Sequence, residues 1–129
     1  MSEEPAFLDI PQVESLHRIA LEQHGGQDGI RDAAALQSAV MQPRNVWYYA
    51  QGDLFDVAAA YAFHIAEAQA FLDGNKRAGM SAALVFLEGN GQPVPEATAE
   101  LYAAMIGIAQ RRIGKPELGT LLRRLCEQH

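Results

Sequence analysis

The sequence predicts an all-α bundle of about six helices. Three observations carry that expectation. Apolar residues recur at three- and four-residue spacing in segment after segment, Asp, Pro and Gly punctuate the segment ends, and the longer stretch that lacks the helical period, residues 43–53, is short beside them.

Taken in order, Asp9 and Pro11 open a helix with Val13, Leu16, His17, Ala20, Leu21 and His24 on one stripe, and Gly25-Gly26 closes it. His17 and His24 therefore read as core or boundary residues. Seven positions apart, they lack the i, i+4 spacing of a helical zinc pair. A short helix near Asp32 to Met41 is expected to stop before Pro43. The next stretch, Pro43 to Asp53, is rich in aromatics around Val46-Trp47-Tyr48-Tyr49, and a short β-hairpin or irregular loop fits it best. A helix from about Asp56 to Gln69 carries Val57, Ala60, Tyr61, His64, Ile65 and Ala68 on one stripe, which reads His64 as a packed histidine. Another, with Met80, Ala83, Leu84 and Leu87, ends at Gly89-Asn90-Gly91. Pro93 and Pro95 separate it from a helix with Leu101, Ala104, Met105 and Ile108, closed near Gly114. The last helix starts by Pro116 and shows Leu118, Leu121, Leu122 and Leu125.

A chain of 129 residues is expected to form a single domain, 1–129, large enough for a hydrophobic core. The net charge of −6 argues against direct nucleic-acid binding, which would require a clustered basic face. Five of the ten cations, Arg111, Arg112, Lys115, Arg123 and Arg124, do crowd towards the end of the chain. They read as a solvated face, or as a docking surface for an acidic peptide. Cys126 is alone, so no internal disulfide forms. The start, Met1-Ser2-Glu3-Glu4, has no signal-like character, and no apolar run approaches the roughly 18 residues of a membrane span. The expectation is a cytoplasmic protein without a membrane partner.

The chemistry concentrates in Phe71-Leu72-Asp73-Gly74-Asn75-Lys76-Arg77, a turn that opens a helix. Free N–H groups at a helix start attract anions, Gly74 permits close approach of backbone, Lys76 and Arg77 add positive charge, and Asp73 can hold Mg²⁺ beside phosphates. The plainer alternative is an interhelical turn with Asp73 as N-cap and two solvated cations. Against it, two cations in a first turn oppose the helix dipole by a few tenths of a kcal/mol each.

With its surroundings, Gln69-Ala70-Phe71-Leu72-Asp73-Gly74-Asn75-Lys76-Arg77 resembles the signature of the Fic/Doc (Fido) family, in the Doc-type (death-on-curing) form where lysine precedes the arginine. Phe7-Leu8, Leu16-His17, Gly29-Ile30-Arg31-Asp32, Leu36, Ser38-Ala39, Pro43, Ala82 to Leu87 and Asn90-Gly91 extend the likeness over roughly residues 7 to 125. The resemblance implies a Fido helical bundle and an ATP- and Mg²⁺-dependent transfer of a phosphoryl or nucleotidyl group to a Ser or Thr hydroxyl of a protein target, with translation as the process attacked. It assigns Asp73 to the metal, Gly74, Asn75, Lys76 and Arg77 to the phosphates, and Phe71 to anchoring the loop. Lys76, in place of a second glycine, matches the variant in which the nucleotide binds inverted and its terminal phosphoryl group moves. In Fic-type proteins the region of 43–53 forms a flap that pairs with the target, so Trp47, Tyr48 and Tyr49 are either target contacts or packing residues.

The main departure is Gln69, which stands where the family has its catalytic histidine. An amide takes no proton near neutral pH, and loss of a general base typically costs about 10²- to 10⁴-fold in rate. Lys76 is a poor substitute, with a reference pKa near 10.4. The expected outcome is an impaired enzyme, or a catalytically inactive domain that binds nucleotide or antitoxin. Met80 replaces the second arginine of many Fic proteins, and no Ser/Thr-x-x-x-Glu-Gly inhibitory motif is present, so the resemblance implies an antitoxin acting in trans.

Overall fold

The computed structural model describes residues 3–95 and 99–127, and within them the chain is all-α. The expected bundle is present. Its helices are α1 (Ile10–His24), α2 (Ala33–Tyr48), α3 (Leu54–Ala68), α4 (Asn75–Gly89), α5 (Ala99–Ala109) and α6 (Lys115–Glu127). Among the described residues the sole β feature is an isolated antiparallel bridge between Ile30 and Phe71. Residues 1–2 of the expected acidic start lie outside the described residues.

The sequence of α3, rich in alanine and apolar all round, is explained by its position. Val57, Ala58, Ala59, Ala60, Tyr61, Ala62, Ile65 and Ala66 are all buried, because α3 packs against α2, α4, α5 and α6 at once. Small side chains let backbones approach closely. At Gly79 of α4 a Cβ would come within 2.6 Å of the Ala62 carbonyl oxygen, so only glycine fits the α3–α4 contact. Asp53 caps α3 in a reciprocal capping box with Asp56, so that the helix starts two residues earlier than the sequence suggests, and also pairs with Arg123 of α6 at 2.6 Å.

Asp9 caps α1 as expected, with Gln12 completing a capping box and Gly25 at the C-terminus. Tyr61 ties the preceding segment to the core: its hydroxyl accepts from Leu8 N–H at 2.8 Å and donates to the Leu8 carbonyl at 3.3 Å.

Two expectations are corrected. The hairpin proposed for 43–53 is not formed, because α2 runs through Pro43 to Tyr48. Proline forfeits one helical hydrogen bond, but Pro43 is buried here, and Val46 and Trp47 pack against the core from the same helix. Tertiary packing overrides the local penalty. His24 is exposed in the last turn of α1, where a histidine complements the helix C-terminus rather than the core. The cations near the chain's end are partly spent on ion pairs: Arg123 meets Asp53 and Arg124 meets Glu100. No described helix is long and apolar enough to cross a membrane.

Candidate functional site

The α3–α4 connection, residues 69–74, is held from three sides. Gln69 ends α3 in a left-handed conformation (φ 50°). The carbonyl of Ala70 then accepts from the main-chain N–H groups of Arg31 (2.7 Å) and Asp32 (3.1 Å), while Leu72 N–H donates to the Gly29 carbonyl at 3.0 Å. Residues 29–32 thus form a second strand of chain along the loop.

Beneath it, Phe71 is 1% exposed and stacks on the His17 ring, with centroids 3.7 Å apart and planes 6° from parallel. Asn75 closes the turn around it. Its Oδ1 accepts from Phe71 N–H at 3.0 Å and its Nδ2 donates to the Phe71 carbonyl at 3.1 Å. The Asn75 side chain is therefore a buried brace, and what it can present to a ligand is its main-chain N–H.

Asp73 is fixed at both ends. Its carbonyl accepts from His17 Nε2 at 2.7 Å, and its Oδ2 accepts from Gln27 N–H at 2.8 Å. A carbonyl can only accept, so His17 carries its proton on Nε2. The second carboxylate oxygen of Asp73 makes no hydrogen bond with a described residue, and the side chain is exposed.

Gly74, not Asp73, is the N-cap of α4, with φ 78° and no side-chain cap. The first N–H groups of α4 are consequently left for solvent or an anion. Lys76 is exposed beside them, and the Arg77 guanidinium lies over the Tyr102 ring at 5.4 Å. The Gln69 side chain folds back: Nε2 donates to the Ala66 carbonyl at 2.8 Å and Oε1 accepts from Asn75 Nδ2 at 3.4 Å. A cleft of about 360 Å³ opens on the α1 side of the loop, lined by His17, Phe71 and Ile30 with Glu14, Arg18 and Asp28.

One carboxylate with a free oxygen next to an uncapped helix start suits Mg²⁺, which commonly takes one or two carboxylates and completes its shell with phosphate and water. Among the described residues no cluster of three or more His, Cys, Asp or Glu exists to hold a metal without such help.

The sequence-predicted residues divide into two groups. Gln69, Phe71, Asp73, Gly74, Asn75, Lys76 and Arg77 are brought together. Trp47, Tyr48 and Tyr49 are not: they close α2 at its junction with α3, whereas α2 begins at the loop, so the length of α3, roughly 22 Å, separates them from Gln69. Trp47 instead borders a larger cleft of about 530 Å³ with Glu3, Glu4 and Asp53. Tyr48 hydrogen-bonds Glu4, which raises its pKa, and Tyr49 is 83% exposed. Sequence reading missed the roles of His17, Gln27 and Arg31, because each acts on the loop from a distant part of the chain.

Residues 7–87, which span α1 to α4 and every residue of the loop, match the Fic/DOC family. The chain belongs to that family. It is 34% identical over 113 residues to a protein of Escherichia phage P1 named protein kinase doc, an alignment covering 86% of this chain and 88% of that one. It is 38% identical over 87 residues to toxin Doc of Mycolicibacterium smegmatis, covering 66% and 65% respectively. Among Fic/DOC proteins its named relatives are thus of the Doc type. The phage relative's alignment is too long to end with α4, so the likeness reaches into α5 or α6 as well.

Proposed function

We propose that this protein is a Doc-like toxin that binds Mg²⁺-ATP on the 69–77 loop and acts on a Ser or Thr hydroxyl of a protein target in the translation machinery. The single observation that carries the reading is the uncapped start of α4, opened by Gly74 at positive φ and flanked by Asp73, Lys76 and Arg77. Asp73 would hold the metal, the first N–H groups of α4 and Lys76 the phosphates, and Arg77 would swing from Tyr102 or reach past it to clamp them. The rest of the nucleotide would lie in the cleft beside His17 and Phe71, away from the Glu14 and Asp28 carboxylates of its wall.

Lys76 and the name of the phage relative favour phosphoryl over nucleotidyl transfer. In that reaction the hydroxyl oxygen bonds the terminal phosphorus, the bond from that phosphorus to the bridging oxygen breaks, and ADP leaves. The hydroxyl proton must go elsewhere. The Gln69 amide cannot take it, so water does, and the step is slow. Positioning and charge stabilisation still operate, since they dominate phosphoryl transfer. An antitoxin supplied in trans completes the proposal, and the cytoplasm is where such a pair would work.

Gln69 also supports a second reading, a binding-only protein that holds nucleotide or antitoxin without turnover. Its amide is already engaged with Ala66 and Asn75, in keeping with a structural role. Titration calorimetry of Mg²⁺-ATP into the protein and its Gln69→His and Lys76→Ala variants, with transfer to lysate proteins followed by labelled γ-phosphate, separates the two. The toxin reading expects binding by the parent, weaker binding by Lys76→Ala, and transfer gained by Gln69→His. Binding without transfer in either form supports the binding-only protein, and absence of binding refutes both nucleotide readings.

A further inference from the structure

We propose that Arg31 is a positioning residue for the side chain at position 69. The inference rests on the transferase reading above, since it concerns the residue that stands at the family's proton-accepting position. Both Nε (3.2 Å) and Nη2 (2.6 Å) of Arg31 donate to the Gln69 carbonyl oxygen. The main-chain N–H of the same residue donates to the next carbonyl, that of Ala70. One residue therefore grips two successive carbonyls, and the plane of the 69–70 peptide is set by it.

That grip falls where the backbone most needs it. Gln69 is left-handed at φ 50°, a conformation that disfavours any residue with a Cβ. The direction of its side chain depends on keeping that twist. The Gln69 carbonyl is also an acceptor left over at the C-cap of α3, where a cation is favoured by the helix dipole. The guanidinium is exposed, yet among the described residues no carboxylate pairs with it. Its charge is committed to a backbone carbonyl instead. The planar fork matters, because two N–H groups converging on one oxygen fix a direction that a lysine ammonium cannot.

The test uses Gln69→His as the parent and measures transfer at saturating Mg²⁺-ATP, nucleotide affinity and melting temperature. Added Arg31→Ala is expected to lower kcat by about tenfold or more with nucleotide affinity unchanged, as misplacement of a reacting group does. Arg31→Lys should recover part of the loss. Asp53→Ala, which removes the α3 cap at the far end of the bundle, controls for stability and should leave kcat alone. Unchanged kcat in Arg31→Ala, or a fall matched by Asp53→Ala at equal loss of melting temperature, overturns the proposal. If the Gln69→His parent transfers nothing, the transferase reading has failed on its own, and the positioning claim is decided by NMR. Arg31→Ala must then shift the signals of residue 69 while those of Phe71 to Asn75 stay in place; an unmoved residue 69 rejects it.

Discussion

His17 and Phe71, 54 positions apart in sequence, lie face to face with their rings 3.7 Å apart, and the same imidazole donates from Nε2 to the Asp73 carbonyl. One side chain of α1 therefore anchors the apolar and the polar half of the loop together. His17→Leu keeps an apolar body under Phe71 but removes the donor. Leaving a part-buried carbonyl unpaired costs about 1–3 kcal/mol. Urea unfolding should show a loss in that range, and Mg²⁺-ATP affinity should fall with it, since Asp73 then keeps only its bond from Gln27 N–H and loses the one that fixes its main chain. A variant as stable as the parent would mean that water replaces the imidazole.

Asn75 braces the loop from the other side, donating to one and accepting from another main-chain group of Phe71. Asn75→Ala orphans both buried groups, and a loss of about 2 kcal/mol or more is expected. Asn75→Asp restores the acceptor for Phe71 N–H but sets a buried carboxylate oxygen against the Phe71 carbonyl and Gln69 Oε1, so it should be at least as destabilising while repelling an anion at the start of α4. Stability of Asn75→Asp no greater than that of Asn75→Ala, combined with weaker nucleotide binding, is the pattern to be found by calorimetry.

How much of this was legible in the sequence follows from how local each interaction is. The stripes of α1, α3, α4 and α6 are apolar patterns within one segment, and each appears as a helix close to its expected limits. The end of α2 is not legible, because Pro43 is a local stop signal, whereas its burial against the core is a tertiary fact. The same local signals favour a hairpin or irregular loop for Trp47 and Tyr48, which in fact close α2. Within the loop, the residue types were legible as an anion site. Their division of labour was not: Asn75 turns inward, Gly74 rather than Asp73 caps α4, and His17, Gln27 and Arg31 reach the loop from 38 to 56 residues away.

Gly74 offers a test that separates strain from space. Its Cβ would sit 3.5 Å from His17 and Leu21 atoms, ordinary contact, so there is room for a methyl group. The obstacle is φ 78°, which costs a residue with a Cβ roughly 1–2 kcal/mol. Gly74→Ala should lose about that much stability, and Gly74→Asn less, because asparagine tolerates the left-handed region. Equal losses in the two variants would point to crowding instead.

His64 supplies a pH dependence whose sign is fixed by its surroundings. Burial first, and then the charge of Lys115, lower its pKa from 6.5 to about 4; Lys115 Nζ approaches His64 Nε2 at 3.0 Å, a contact that needs the imidazole neutral. The unfolded chain therefore binds a proton in the window where the folded protein does not. Stability from this group is fully present above pH 6.5, declines as pH falls towards 4, and changes no further below that. The loss should be about 1–2 kcal/mol, less than full linkage would give because the ring is only half-buried. Urea unfolding of the protein and of His64→Gln between pH 7 and 4 isolates the effect, since the carboxylates titrate in both. The difference between the two curves should narrow as the pH falls, with the variant losing less. Parallel curves would show that Lys115 and the ring separate on protonation and that the bundle gives way there without cost.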